Sequence, residues 1–194
     1  IDFAPPHLSL YHLTMEPNTV FAKYPPVVPD DDASADMQDM IAEETGAAGY
    51  GHYEVSAYAK PTRQAKHNLN YWQFGDYLAI GAGAHGKVTQ PDGVYRFQKT
   101  RLPKDYLAKV PAEHLQFKRI EAEEMPFEFM MNALRLNQGV EAKFYIERTG
   151  QSLDTLQDLL SSLRKRKLMI DDQNRLACTE QGHIFLNSVL EEFL

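Results

Sequence analysis

The chain has 194 residues, 43% hydrophobic and 24% charged, with 11 Gly, 11 Pro and a single Cys. That is the composition of an ordinary globular protein of one or two domains, and it excludes collagen, low-complexity disorder and a disulfide scaffold. Twenty Lys+Arg against 27 Asp+Glu give a net charge of −7. Such a balance offers no overall footprint for a polyanion, so nucleic acid would need a local basic patch. Cys178 alone cannot close an intrachain disulfide or supply several thiolates to a metal cluster, and a reducing compartment such as the cytoplasm is expected. The longest nearly apolar run, residues 77–84, is far short of the roughly 20 residues of a membrane helix. The chain opens on Ile1-Asp2-Phe3 with no Met, as expected for a piece of a longer polypeptide.

Residues 7–13 alternate polar and apolar, which predicts a strand. Asp30-Asp31-Asp32 suits a helix N-terminus, Met37, Met40 and Ile41 recur at helical spacing, and Gly49 suits the position after a helix end, so a helix is predicted over 31–47. Residues 53–57 read as a second strand. Residues 77–80, nearly all apolar, read as a third, covered on both faces. Strand, helix, strand is the grammar of a parallel α/β sheet. Pro91-Asp92-Gly93 marks a tight turn, so Val88-Thr89 and residues 94–97 predict a hairpin, and Pro103 opens a short helix to about 109.

The pattern changes near residue 120, which predicts a domain over 1–120 and a second over 121–194. Pro126 suits the first turn of a helix to about 136, with Phe127, Met130 and Leu134 inward. A second helix spans 142–148, closed by Gly150. Leu153, Leu156, Leu159, Leu160 and Leu163 define an amphipathic helix with Ser152 as its N-cap. Residues 168–170 and 175–178 read as a β-hairpin. Thr179 caps a last helix carrying Ile184, Phe185, Leu186, Val189 and Leu190. Three helices, a two-stranded wing and a closing helix predict a winged-helix-like α+β unit.

A winged helix raises the question of DNA, which the charges address. Residues 121–194 hold eight basic and thirteen acidic side chains, a net of −5. The basic run 164–167 falls where a helix C-terminus favours cations, so it reads as dipole complementation rather than a phosphate patch. The expected partner of this unit is protein, not nucleic acid.

The chemistry concentrates in residues 54–86. His67-Asn68-Leu69-Asn70-Tyr71-Trp72 is predicted to be a polar loop between two strands. A His beside an aromatic pair could ligate a metal or haem iron through its imidazole, with Tyr71 and Trp72 covering a flat macrocycle. From residue types and spacing alone the alternative stands beside it: His67 and Asn68 tie the backbone of the loop, and Trp72 is core. Gly81-Ala82-Gly83-Ala84-His85-Gly86 has side chains small enough for a ligand to approach the backbone. It lacks the register of a dinucleotide fingerprint, because a hairpin and not a helix follows. Glu54 and Ser56, two apart on the predicted strand, point the same way.

Tyr11-His12-Leu13-Thr14-Met15-Glu16-Pro17-Asn18-Thr19, Pro29-Asp30-Asp31-Asp32, Tyr53-Glu54-Val55-Ser56-Ala57-Tyr58-Ala59-Lys60-Pro61, the motifs at 67–72 and 81–86, and Pro126-Phe127-Glu128-Phe129-Met130-Met131-Asn132 with Arg135-Leu136 carry a resemblance. These segments resemble the oxygen-independent coproporphyrinogen III oxidase-like radical SAM family, in its haem-chaperone branch. The His-Asn-x-x-Tyr-Trp motif distinguishes that branch, and the resemblance associates its His with haem. The fold it implies is the C-terminal strands and helices of a partial (β/α) barrel, followed by the winged unit. It implies a haem-binding set of His67, as iron ligand, with Asn68, Tyr71 and Trp72. It also implies proximity of Gly81, Ala82, Gly83 and Ala84 to S-adenosylmethionine in the complete protein.

The family's Cys-x-x-x-Cys-x-x-Cys loop, which holds a [4Fe–4S] cluster, is not in this sequence. The chain is therefore expected to correspond to the C-terminal half of the family and to perform no radical chemistry as given. Three readings follow. They are the C-terminal portion of a haem chaperone serving haem-accepting proteins, part of a coproporphyrinogen oxidase, and a non-catalytic interaction module. A parallel sheet without its first strands would leave an open edge, to be covered by the N-terminal barrel half or by self-association.

Overall fold

A computed structural model describes residues 3–109 and 117–194. The chain divides into two compact units, Ile1–Ala65 and Lys66–Leu194.

In the first unit, β1 (His7–Ser9) is followed by a one-turn helix α1 (Val20–Lys23), the long helix α2 (Asp31–Ala47), β2 (Gly51–Glu54) and β3 (Ala57–Ala59). Helix α2 starts as the sequence predicts. The Asp30 carboxylate accepts the Ala33 amide at 2.9 Å, and Asp31 and Asp32 lie in the first turn, where the helix dipole favours negative charge. The three strands form a sheet in the order β1, β3, β2, with His7 opposite Ala59 and His52 opposite Tyr58. Every pairing of named strands among the described residues is antiparallel, whereas the strand, helix, strand order predicts a parallel sheet. The reason is local. The predicted strand 53–57 is broken by a turn at Val55-Ser56, and a two-residue connection can join only antiparallel strands. Glu54 and Ser56 consequently do not share a strand face: Glu54 is buried, and its Oε2 accepts the Ser56 amide at 3.4 Å. The strand predicted over 7–13 ends at Ser9, and Tyr11 and Leu13 beyond it are exposed.

The second unit opens with α3 (Lys66–Trp72) and continues through β4 (His85–Gln90), β5 (Gly93–Gln98), α4 (Pro103–Ala108) and β6 (Phe117–Arg119). The predicted hairpin forms about Pro91-Asp92, with Gln90 opposite Gly93, and β6 adds to its β5 edge. Residues 67–72 are helix, not loop. Residues 77–80 are not a strand covered on both faces: Tyr77 makes a single bridge to Lys87, while Leu78 and Ile80 are 77% and 86% exposed. Apolar content predicted burial there, but only the first residue of the segment reaches the ladder of β4.

Then come α5 (Met125–Ala133), β7 (Val140–Glu141), α6 (Lys143–Thr149), a 3-10 turn (Leu153–Leu156), α7 (Gln157–Lys165), β8 (Arg175–Leu176), α8 (Glu180–Ile184) and α9 (Leu186–Glu191). The local signals hold here. Ser152 accepts the Asp154 amide, Thr179 accepts the Gly182 amide at 3.0 Å, and Gly150 closes α6 in the left-handed region at φ 73°. Leu156, Leu160 and Leu163 are buried with Phe129, Met130, Leu134, Tyr145, Leu176 and Val189. Phe129, rather than Phe127, is the inward aromatic of α5. The hairpin of residues 168–178 is anchored by a Met169–Cys178 bridge and by Ile170 N donating to Ala177 O at 3.1 Å, while β8 pairs with β7. The last helix divides at Phe185, and Ile184 and Phe185 are exposed while Val189 and Leu190 are buried.

Candidate functional site

Helix α3 is short, and its end is fixed by the residues that follow. The Gln73 and Phe74 amides donate to Leu69 O and Tyr71 O, both at 2.9 Å, and Phe74 then turns into the left-handed region at φ 59°. Gly75 N donates to Asn70 O at 2.7 Å, and a Cβ on Gly75 would lie 2.1 Å from Asn70 Oδ1, so this close return needs glycine. Asn70 Nδ2 reaches on to Asp76 O at 2.9 Å. The segment after the helix is locked to β4 by Tyr77 and Lys87, whose backbones exchange both hydrogen bonds at 2.9 and 3.0 Å.

That return lays Tyr77 against the helix. Tyr71 and Tyr77 stack with ring centroids 4.0 Å apart, and one helical turn back the His67 imidazole meets Tyr71 edge-on at 4.8 Å. His67 is exposed, and no described residue hydrogen-bonds its ring nitrogens. It therefore does not tie the backbone, which was the alternative its sequence position allowed. Arg96 on β5 supports the stack from the other side. It donates from Nη1 to Tyr77 Oη at 3.1 Å and from Nε to Glu128 Oε2 at 2.8 Å, and its Nη2 reaches the same carboxylate oxygen. Burial alone would lower the Arg96 pKa; its bonds to Glu128 and Tyr77 outweigh that and raise it, so the cation is secure. Desolvation, reinforced by Tyr77, pushes the Tyr71 phenol upward, and Tyr71 is neutral at ordinary pH.

Trp72 is half-buried rather than core. The Arg135 guanidinium lies over its ring, 5.2 Å from the centroid, and its indole Nε1 is buried with no hydrogen-bond partner. Asn68 is half-buried on the same helix. Gly81, Ala82, Gly83 and Ala84 form a separate turn. Gly81 and Gly83 adopt φ of 100° and 71°, which favour glycine, and Gly83 N donates to Thr100 O while Ala84 O accepts the Lys99 amide, both at 2.8 Å.

The structure thus joins His67, Tyr71 and Trp72 as the sequence grouped them. It adds Tyr77, Arg96 and Arg135, which sequence reasoning did not select. Among these, Arg135 stood inside a quoted motif, but its meeting with Trp72 spans many positions and has no local signal. Two cavities, of about 350 Å³ beside α2 in the first unit and about 380 Å³ beside the β4–β5 turn in the second, are lined by other residues. Among the described residues no group of three or more His, Cys, Asp or Glu is placed to hold a metal ion, and no helix is long and apolar enough to cross a membrane.

Comparison with known proteins finds similarity along the whole chain. Residues 120–185 match the family described as HemN C-terminal domain. In the solved structures the fold is similar to coproporphyrinogen III oxidase (HemN) from Escherichia coli, titled a radical SAM enzyme, with a TM-score of 0.68 and 15% identity over 99% of this chain and 48% of that one. The chain shares the mixed α/β fold of the corresponding half of that structure. The sequence relatives are more specific. The chain is 46% identical over its full length to the heme chaperone HemW of Escherichia coli and 45% identical to that of Haemophilus influenzae, covering 51% and 50% of those proteins. It is 32% identical to HemW of Bacillus subtilis over 97% of its length. The chain spans about half the length of these curated relatives and is similar to them as the counterpart of their C-terminal half.

Proposed function

We propose that this chain is the haem-presenting half of a radical SAM-type haem chaperone, with α3 as the surface that holds the cargo. The observation that carries the reading is the His67 imidazole, exposed, free of protein hydrogen bonds among the described residues, and backed by the Tyr71–Tyr77 stack. An iron ligand needs an accessible ring nitrogen, and a porphyrin face needs flat apolar surface beside it. His67 would ligate the haem iron, and Tyr71, stacked on the Tyr77 ring that Arg96 hydrogen-bonds, would orient the imidazole. Leu78 and Ile80, exposed on the segment that begins at Tyr77, offer further apolar area of a kind that soluble surfaces seldom leave uncovered. Asn68 and Trp72 complete the proposed haem set, and Gly81, Ala82, Gly83 and Ala84 are proposed to border S-adenosylmethionine in the complete protein. Haem-accepting proteins are the proposed partners, in the cytoplasm.

A [4Fe–4S] cluster does not fit the residues present. Cys178 is the chain's one thiol, and burial pushes it up to about 12. The cluster and most contacts to adenosylmethionine are assigned to an N-terminal barrel half. In this reading residues 1–120 close a partial (β/α) barrel, and residues 121–194 are a winged-helix-like domain. The order α5, β7, α6, α7, hairpin, α8 supports the second assignment. Nucleic acid is not a proposed partner: the second domain carries a net charge of −5, and two of the four cations of the basic run are engaged at home, Arg166 with Glu192 at 2.5 Å and Arg164 with Asp172 O at 3.1 Å.

The test is an absorbance titration of the 194-residue chain with haem. A shifted Soret band is expected, weakened in His67→Ala and retained in His52→Ala, whose imidazole stacks on Tyr58 in the other unit. Equal behaviour of the two variants would return His67 to an ordinary surface role.

A further inference from the structure

We propose that Arg135 and the Trp72 indole N–H form a carboxylate-binding pair, and that it takes a propionate of the porphyrin whose iron His67 ligates; the proposal rests on the haem reading above and adds to it the recognition of the ligand's acid groups. Two unpaired donors meet at this place. The buried Trp72 Nε1–H has no acceptor, although most buried N–H groups find one. The Arg135 guanidinium lies over the same ring and makes no ion pair with any described carboxylate.

The contrast with Arg96 shows that this is not the rule in the unit. Arg96, equally half-buried, spends its donors on Glu128 and Tyr77. A guanidinium carries five N–H donors, and those not turned toward the ring can meet a carboxylate oxygen. An indole N–H lies at the edge of the same ring and donates in its plane. One donor is charged and one is neutral, and neither accepts. An anion with oxygen acceptors satisfies both, and a cation or a neutral donor satisfies neither.

The pair shares a helix with His67. Trp72 and His67 stand five positions apart on α3, so an axial rise of about 7.5 Å and a rotation of about 140° about the helix axis separate them. Arg135 comes from the first residue beyond the Leu134 cap of α5, which packs against α3. Its backbone is held on both sides by buried Leu134 and Leu136, and its amide donates to Asn132 O at 3.1 Å. The cation is therefore presented from a rigid support, which lowers the entropy lost when an anion binds.

Zinc protoporphyrin IX and its dimethyl ester are the probes, since both offer an axial site for imidazole and only the first offers carboxylates. Trp72 is the chain's only tryptophan, so a single indole N–H resonance reports on the site. The free acid is expected to bind about tenfold more tightly than the ester, the low end for a hydrogen bond to a charged group. It should move the indole resonance downfield, and the ester should not. Arg135→Ala should remove the preference without weakening the ester, Arg135→Lys should keep part of it, and His67→Ala should weaken both probes by the same factor. If wild type binds both probes equally and His67 still matters, the haem reading stands and the carboxylate pair is overturned. The same holds if the preference survives Arg135→Ala. If neither probe binds in a His67-dependent way, the haem reading falls, and the pair falls with it.

Discussion

The buried Lys87 ammonium donates to Asp76 Oδ1 at 2.8 Å and sits 4.2 Å from the centroid of the Phe74 ring. Asp76 is half exposed and also accepts the Thr89 amide at 2.8 Å and the Thr89 hydroxyl at 2.9 Å. This pair clamps the turn after α3 to β4, and the clamp is what brings Tyr77 under Tyr71. The geometry of the candidate site thus depends on an ion pair outside it.

Removing Asp76 should cost more than removing Lys87. Burial pushes the Lys87 pKa down, and Asp76→Ala would leave that ammonium with no counter-charge. Breaking a buried pair from one side costs about 3–5 kcal/mol, reduced here to about 2–3 kcal/mol because Asp76 is half in water. Lys87→Met keeps the packing and should cost less. The carboxylate also gives the pair a pH signature. Burial alone would raise the Asp76 pKa, but the hydrogen bonds from Lys87 and Thr89 outweigh it and hold the group below its ordinary value of 3.8. The unfolded chain then binds the proton more readily, so the stabilisation is complete above that value and is lost as pH falls below it. Urea midpoints should show the gap between wild type and Asp76→Asn narrowing from about pH 5 to about pH 3. A gap that widened on acidification would contradict the pairing.

Two glycine substitutions separate packing from propensity. A Cβ on Gly182 of α8 would lie 1.9 Å from the Leu168 carbonyl oxygen, a backbone atom that cannot swing aside. Gly182→Ala should therefore destabilise by about 2–3 kcal/mol through overpacking. Gly46, near the end of α2, has nothing within 4 Å of the same position, and Gly46→Ala should be neutral or stabilising by up to about 1 kcal/mol. Thermal denaturation of both variants checks the contrast, and similar shifts in the two would refute the docking of α8 on residue 168.

Cys178 should be inert in the folded chain. Its thiol is buried and pushed up to about 12, so almost no thiolate exists at neutral pH. A disulfide-exchange reagent should react slowly with the native protein and quickly in urea. Anaerobic reconstitution with iron and sulfide should likewise yield no stoichiometric cluster. Rapid native labelling would mean that the hairpin of residues 168–178 opens readily.

Elements written by short-range chemistry were legible. The Asp30 cap, Ser152, Thr179, Gly150 and the Pro91-Asp92 turn each act within a few residues, and the structure has them where the sequence puts them. Elements decided by distant contacts were not. Residues 77–80 carry a strand's composition, yet one bridge to Lys87 is all the pairing they receive. Residues 53–57 alternate like a single strand, and the turn at Val55-Ser56 reverses them. In the candidate site, His67, Tyr71 and Trp72 could be grouped because they are neighbours in the chain. Tyr77, Arg96 and Arg135 could not, because stacking, a phenol hydrogen bond and a cation over an indole are long-range meetings that residue types alone do not announce.

The central claim is that the His67 imidazole is the haem ligand, and chemical rescue tests it most directly. His67→Gly removes the ring from an exposed position and leaves the Tyr71–Tyr77 stack in place. The ferric haem complex of this variant should lose the Soret shift of wild type, and added imidazole should restore it as concentration rises. A variant that binds haem with the wild-type spectrum and does not respond to imidazole would contradict the account.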